Sequence, residues 1–408
     1  VDREAAQVIG EKQMGGMVEL VSQFEIGPTY SQINIAGKPI RVSPLRYAGL
    51  IKYLGNFRNG IEYFISVDMT TQNGELNKLA NPIRYSESDW IFRDLDRHLR
   101  FKYPFALLGA NNFEIDDEGN AWYVTPKLTK RIGFFNGLDS SGVILTNANT
   151  GESTFYSTED IPDWVDRAYP SELIIQQLDW RGLYSGGYFN SMIGQRSVTS
   201  TTDGYNYVSL GTDIYLITGV TSVRADSSNL GFYYVNLRTK EAVFYACPSA
   251  TETAAMQSAR GKVQEKNYVP TFPVILNIQD RPVYFMSLKD QSLTAKMFAL
   301  VDAEQFTNVV VGNTVKEVIA LFYEQNPGER DPNAPADVEE SLTIKTLVPL
   351  VLEGNSVFYF TVEENDMIYM ADPALLGPSI AFLEPGDKVI IISQENESSS
   401  FVLTLKEE

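Results

Sequence analysis

Side chains able to do chemistry are few in this chain of 408 residues: there is one histidine, His98, and one cysteine, Cys247. A serine or cysteine nucleophile needs a base beside it, most often histidine. Nothing in the sequence ties His98 to Cys247, so the pair reads as a helix histidine and a small apolar cysteine. Zinc takes three or four nitrogen or sulfur ligands, and one His with one Cys does not supply the common sets. A carboxylate-only Mg²⁺ or Ca²⁺ site stays open. The richest oxygen cluster is Asp116-Asp117-Glu118-Gly119-Asn120. It lacks the spacing of a calcium loop and has the composition that a tight turn requires. Asn147-Ala148-Asn149-Thr150-Gly151-Glu152 reads the same way.

Phosphate loops of the Walker or G-x-G-x-x-G kind are absent. Tyr184-Ser185-Gly186-Gly187-Tyr188-Phe189 is glycine-rich but aromatic, which suits a kink or close packing. Trp164, Trp180, Tyr184 and Tyr188 have the faces to stack on sugars. The spacing of four in Trp180, Tyr184 and Tyr188 also marks one helix face, and core packing is the reading taken. Paired carboxylates of a glycosidase leave no signature among 52 acidic residues. No catalytic, cofactor-binding or metal-binding residue is assigned, and no enzyme is expected.

Fifty-two acidic against 33 basic residues give a formal net charge of −19, which repels phosphate backbones at long range. The basic run Lys127-Leu128-Thr129-Lys130-Arg131 reads as a solvated loop, and nucleic acid is not an expected partner. A single cysteine excludes an intrachain disulfide and fits a cytosolic protein and an exported one alike. No apolar run is long enough to span a bilayer. The chain begins Val1-Asp2-Arg3-Glu4, without Met, and the expectation is that an anchor or signal preceded it.

Hydrophobic periodicity and turn signals set out the elements that must position these residues. A helix is expected over Asp2 to Phe24, weakened at Gly15-Gly16. A hairpin at 30–35 and 39–42 follows, then a strand at 63–68. Ser86 and Asp89 resemble a capping box opening a helix to Tyr103. Strands at 113–115, 121–124, 143–147 and 153–156 come next, with a short helix near Thr158. The order then repeats: a hairpin at 205–217, a strand at 232–240 matching 64–72, and a second capping box at Ser249 and Glu252. A hairpin at 274–285, a strand at 296–302 and a helix from Thr314 to Glu324 complete the second copy. Past the Pro-rich stretch Pro327 to Pro335, five short strands suggest a small all-β module.

A helix followed by an antiparallel meander, with turns of the form Val-Asn-Leu-Arg-Thr-Lys (235–240) and Asn-Ala-Asn-Thr-Gly-Glu (147–152), resembles PepSY-like domains. Residues 1 to about 325 resemble the extracytoplasmic part of a bacterial, mainly Gram-positive, family of large membrane-anchored proteins without an assigned activity. The carrying residues include Tyr30-Ser31-Gln32-Ile33-Asn34, Arg97-His98-Leu99-Arg100-Phe101-Lys102-Tyr103-Pro104, Phe113-Glu114-Ile115-Asp116 and Thr218-Gly219-Val220-Thr221. That resemblance implies an N-terminal hydrophobic segment ahead of this stretch and supplies no catalytic residue.

The fold class expected is α+β: two PepSY-like helix-plus-antiparallel-sheet repeats followed by a small OB-like barrel. The divisions are a helix over 1–29, a first repeat over 30–168, a helical connector over 169–203 and a second repeat over 204–325. A linker over 326–340 and the barrel over 341–408 complete the chain. The function expected is non-catalytic binding or structure in the bacterial cell envelope, outside the cytoplasm and membrane-anchored in the full-length protein. Expected partners are an envelope protein, wall polymer or other copies of the chain, with the membrane reached only through an anchor. Regulation of an extracellular protease or sensor, and a carboxylate-only glycan-active enzyme, are the alternatives.

Overall fold

The computed structural model describes residues 3–35, 38–69, 72–132, 137–210, 213–223, 225–278, 281–325, 339–352, 355–365, 368–371, 383, 385–395 and 399–407. Contacts divide the chain into two units, 1–326 and 327–408.

Four antiparallel sheets of five strands make up the first unit. Sheet one holds β1 (Phe24–Ile26), β2 (Ser31–Ile35), β3 (Lys38–Tyr47), β4 (Ile61–Asp68) and β5 (Gly74–Ile83). Sheet two holds β6 (Leu107–Leu108), β7 (Asn112–Ile115), β8 (Ala121–Lys130), β9 (Leu138–Asn147) and β10 (Ser153–Ser157). Sheet three holds β11 (Thr199–Thr201), β12 (Asn206–Leu210), β13 (Asp213–Ser222), β14 (Ala225–Asn236) and β15 (Ala242–Ala250). Sheet four holds β16 (Val269–Pro270), β17 (Val274–Ile278), β18 (Arg281–Lys289), β19 (Ala295–Asp302) and β20 (Val309–Gly312).

One plan runs through all four. A long third strand pairs its first half with the short strand just before it, as Ser31 with Val42 and Phe113 with Tyr123. Its second half pairs with the still shorter first strand, as Phe24 with Tyr47 and Thr199 with Ser222. The fourth strand of each sheet ends on Asp68, Asn147, Asn236 or Asp302. The backbone N–H of that residue donates across the turn to Asn73, Glu152, Glu241 or Asn308. In three of them the side-chain oxygen also accepts the two N–H groups that open the turn: Asn149 and Thr150, Arg238 and Thr239, Glu304 and Gln305. A short side-chain acceptor mimics a backbone turn, which is why Asx stands there each time. The following residue (Met69, Ala148, Leu237, Ala303) then donates to the start of the third strand at Pro39, Ala121, Ile214 or Pro282.

The expected α+β architecture of two helix-plus-sheet repeats and an OB-like barrel is overturned by this count of sheets. The chain is mostly antiparallel strand, and the repeated unit is half as long as the sequence comparison gave. Matching 232–240 with 64–72 paired β14 with β4 and stepped over β9, and matching 296–302 with 143–147 paired β19 with β9 and stepped over β14. The helix signals misled because α4 (Leu95–Lys102) and α6 (Glu252–Lys262) follow sheets one and three only. Between sheets two and three stands a different helix, α5 (Ser171–Tyr184).

Helix ends also shift for local reasons. Ser86 Oγ does donate to Asp89, at 2.7 Å, but as a turn ahead of the helix. The true cap is Asp94, whose carboxylate accepts Arg97 N at 2.8 Å. Likewise Thr251, not Ser249, caps α6. The first helix divides into α1 (Arg3–Gly15) and α2 (Val18–Val21) beside the glycine pair, and α3 (Leu50–Asn56) follows β3. The helix expected near Thr158 is a turn, and 127–130 of the basic run lie on β8.

Apolar cores join the sheets: Ile33, Leu45, Ile65, Leu95, Leu99 and Phe113 between one and two, Val124, Leu145, Ile174 and Leu216 between two and three, and Ile217, Tyr284 and Met286 between three and four. Each fully buried aliphatic is worth about 1.5–3 kcal/mol over its exposed state. Helix α7 (Val315–Gln325) closes sheet four through Val318 and Phe322. At the β8–β9 bulge, Gly142 adopts φ +142°, and a Cβ there would lie 2.0 Å from the Tyr156 carbonyl oxygen. Gly142→Ala is expected to cost about 2 kcal/mol or more, read as a lowered urea midpoint at unchanged slope.

The second unit is a closed barrel of five strands in the order β21-β22-β23-β25-β24. These are β21 (Glu339–Leu352), β22 (Asn355–Val362), β23 (Ile368–Ala371), β24 (Lys388–Glu395) and β25 (Ser399–Glu407). Leu342, Ile344, Phe360, Tyr369 and Ile391 fill it.

Candidate functional site: a cationic pocket shared by four sheets

The second strands β2, β7, β12 and β17 belong one to each sheet, and the first three are stitched together by a buried polar clamp. Glu114 on β7 is fully buried, and its carboxylate accepts Asp166 N at 2.9 Å and Arg167 N at 3.2 Å. The Asp166 carboxylate in turn accepts Asn34 N of β2 at 2.6 Å. Asn34 Nδ2 donates to Ser209 Oγ of β12 at 2.8 Å. Burial pushes the Glu114 carboxyl up to about 7. Burial, together with the charge of Glu114, pushes Asp166 up to about 8. Two carboxylates this close in a dry site do not both ionise readily, so the clamp keeps a proton at neutral pH.

Above the clamp opens a cavity of about 390 Å³. Ser31 and Arg41 come from sheet one and Asn112 from sheet two. Asn206 and Tyr207 come from sheet three, and Thr271 and Phe272 from the turn ahead of β17. Arg3 and Arg167 complete its positive charge, and Glu172 is the one acidic residue among the described residues lining it. Arg167 Nη2 donates to Tyr207 Oη at 2.8 Å and Ser171 Oγ at 3.3 Å, and its guanidinium lies 4.8 Å from the Tyr207 ring centroid. Its Nε is buried and has no hydrogen-bond partner among the described residues. A fixed guanidinium with an unsatisfied donor, beside two more cations and half-buried tyrosines, suits a carboxylate or phosphate carried on a sugar-sized body.

A larger cavity, about 510 Å³, lies beside Tyr47 and Asp89. It carries four acidic residues, Glu25, Glu87, Asp89 and Asp94, against Arg46 and Arg97, and Arg46 is already paired with Glu25 at 2.8 Å. Burial pushes Asp89 up to about 7 against the opposing Ser86 hydrogen bond and Arg93 charge. That cavity draws mainly on sheet one and the segment after it, so the smaller, four-sheet pocket is the better candidate.

The residues singled out from sequence do not meet there. His98 Nε2 lies 2.7 Å from the Gly151 carbonyl oxygen and 3.3 Å from Ser153 Oγ, with its ring 4.9 Å from that of Tyr85. A carbonyl oxygen only accepts, so Nε2 donates to it and His98 clamps α4 to the turn of sheet two. Cys247 lies on β15, lining a separate cavity, and burial pushes its thiol up. Asp116 accepts from Glu118 N, Asn120 N, Asn120 Nδ2 and Trp122 Nε1, which completes a turn. Asn147 does the same through Asn149 and Thr150. Trp164 packs on Trp122, with ring centroids 5.7 Å apart. The core reading of the other aromatics is corrected: Trp180 is half-buried and Tyr184 and Tyr188 are exposed, since α5 ends at Tyr184 and a π-helical turn (Asn190–Gly194) follows. Among the described residues no group of three His, Cys, Asp or Glu could hold a metal ion.

Sequence reasoning missed Arg41 and Arg167. Arg41 had a signal: a charged residue inside the strand pattern Pro39-Ile40-Arg41-Val42-Ser43, at a position that turns out buried. Arg167 had none, because its neighbours in space are distant in sequence.

No protein-family model matches the chain, and no curated protein matches it. Among solved structures it is similar to a B. megaterium levansucrase mutant, at 12% identity and TM-score 0.19, over 91% of this chain and 81% of that one. It is also similar to Trypanosoma rangeli sialidase in complex with the inhibitor DANA, at 9% identity and TM-score 0.19, over 93% of this chain and 54% of that one. The chain thus spans about half the sialidase's length. Likenesses this weak carry no argument about fold or activity.

Proposed function

We propose that this chain is a binding protein and that its N-terminal unit takes a small anionic ligand in the four-sheet pocket. The ligand class is a sugar-sized molecule bearing a carboxylate or phosphate. The setting proposed is the bacterial cell envelope, outside the cytoplasm, with such a group carried on wall polymer. One observation carries the reading: among the described residues, three arginines and a single acidic residue converge in one pocket of a chain whose net charge is −19. Concentrating positive charge in a concave site against the overall field costs stability, and anion capture is the use that offsets it. Binding without chemistry is favoured because Glu114 and Asp166, the nearest carboxyls of unusual acidity, are occupied with backbone N–H groups.

The test is a thermal-shift and calorimetric screen of the intact chain against matched pairs. These are galacturonic acid oligomers with their carboxyl-reduced counterparts, and glycerol phosphate with glycerol. Binding of an acidic member and not of its neutral partner, weakening as salt rises, is expected. Equal binding of both members, or of neither up to 10 millimolar, would overturn the proposal (the ceiling is about the weakest affinity such a pocket would use).

A further inference from the structure

The terminal strand of a sheet presents unpaired N–H and C=O groups, and proteins guard such edges with charge or cover. Three of the four sheets here are guarded on the side of their last strand. β5 carries Glu75 and Lys78 and is packed by α1. β20 is largely buried and is packed by α6 and α7. β10 is five residues long, with Lys127 Nζ 4.2 Å from the Phe155 ring centroid. β15 is different. It ends sheet three, pairs only with β14 among the described strands, and runs Ala242-Val243-Phe244-Tyr245-Ala246-Cys247 without a charge. Its first five residues are all exposed.

Beside this edge lies a cavity of about 550 Å³ between sheets three and four, separate from the anion pocket. The register pairs Tyr245 with Phe232 and Val243 with Tyr234, so these four side chains share one sheet face. Tyr245, Phe232 and Tyr234 line the cavity, with Cys247, Leu276 and Pro282. Glu304, exposed, is the only charged residue among the described lining residues, and its charge acts on the Cys247 thiol. A strand added outside β15 would therefore direct alternate side chains into an apolar cleft that has one acidic end. A second copy of the chain fits poorly. Two bodies of net charge −19 repel, and Pro248 removes a donor where a symmetric pairing would extend.

We propose that β15 and the cavity beside it accept an extended segment of a partner protein as a sixth, antiparallel strand. Its cavity-facing side chains are a basic residue beside Cys247 and Glu304, then two apolar residues at alternate positions. Backbone pairing supplies most of the affinity, and the cleft supplies the choice of sequence.

The test uses the intact chain and a fluorescein-labelled peptide, Thr-Lys-Thr-Phe-Thr-Val-Thr, followed by anisotropy. Saturable binding is expected. It should weaken at least about tenfold when alternate peptide amides are N-methylated, since each lost pairing bond is worth about 1 kcal/mol. Val243→Lys, at an exposed position, should weaken it without shifting the thermal melt. Glu304→Lys should reject this peptide and accept one with Glu in place of Lys. Binding indifferent to N-methylation, or to both variants, would overturn the proposal, as would no binding up to millimolar peptide. Sedimentation as a dimer that Val243→Lys dissolves would also overturn it, by giving the edge to a second copy.

Discussion

Glu114→Ala should unfold at markedly lower urea concentration than the parent chain, with a loss of about 3–5 kcal/mol. Truncation strands two donors, the buried Asp166 N and the partly buried Arg167 N, and leaves a void where β7 meets the segment ahead of α5. A loss that large from one side chain distinguishes a clamp between sheets from a passive buried acid. The same groups fix the sign of a pH effect. Glu114, Asp166 and Asp89 have folded-state pKa values raised to about 7, about 8 and about 7. Their unfolded values are those of ordinary carboxylates, near 4. Between the two ranges the folded chain binds more protons than the unfolded one, so stability falls as pH rises from about 5 to about 8. Below that window the direction reverses for Asp139, which hydrogen bonds from Lys240 and Gln177 hold below the usual range despite its burial. Unfolding free energies from urea titrations at pH 5.5 and 8.5 should therefore differ by about a few kcal/mol in favour of the acid side. In Glu114→Gln, which keeps an acceptor and cannot ionise, that difference should shrink. A parent chain more stable at pH 8.5 than at 5.5 would contradict the assignment of buried, protonated carboxyls.

The second large effect is on binding. Replacing Arg41 and Arg167 together by Gln should reduce affinity for an acidic sugar about 100-fold, because a charge-assisted hydrogen bond contributes about 1.5–3 kcal/mol. Arg3→Gln should cost less, since its guanidinium is exposed and donates to the Pro28 carbonyl at 2.6 Å. The salt dependence of the residual binding should flatten in the double variant. Calorimetry at two salt concentrations reads both. An unchanged affinity in the double variant, with its melt preserved, would remove the anion from this pocket.

Much of the local structure was legible in the sequence. The five C-terminal strands fall in the runs that alternate apolar and polar residues, and they close into a barrel. The hairpins around Asp116 and Asn147 stand where Asx and Gly demanded turns, and the one around Asn236 stands in the polar run that follows it. The period was misread for an identifiable reason. Helix signals such as Ser86 and Ser249 recur once every two sheets, whereas the true repeat is marked by Asp68, Asn147, Asn236 and Asp302, four Asx residues in otherwise dissimilar turns. The pocket was the least legible part. Its residues, from Arg3 to Phe272, become neighbours only when β2, β7, β12 and the turn ahead of β17 converge, and no local spacing encodes that meeting. The clamp was equally hidden, since Glu114 inside Phe113-Glu114-Ile115 reads as an outward-facing strand residue until its partners at 166 and 167 are in place.

The most direct test of the account is a crystal structure of the chain grown with a galacturonic acid trimer. A carboxylate of the trimer is expected within hydrogen-bonding distance of the Arg41 or Arg167 guanidinium, beside Tyr207 and Phe272. A trimer seated elsewhere, or an empty pocket at concentrations where calorimetry shows the chain saturated, would contradict it.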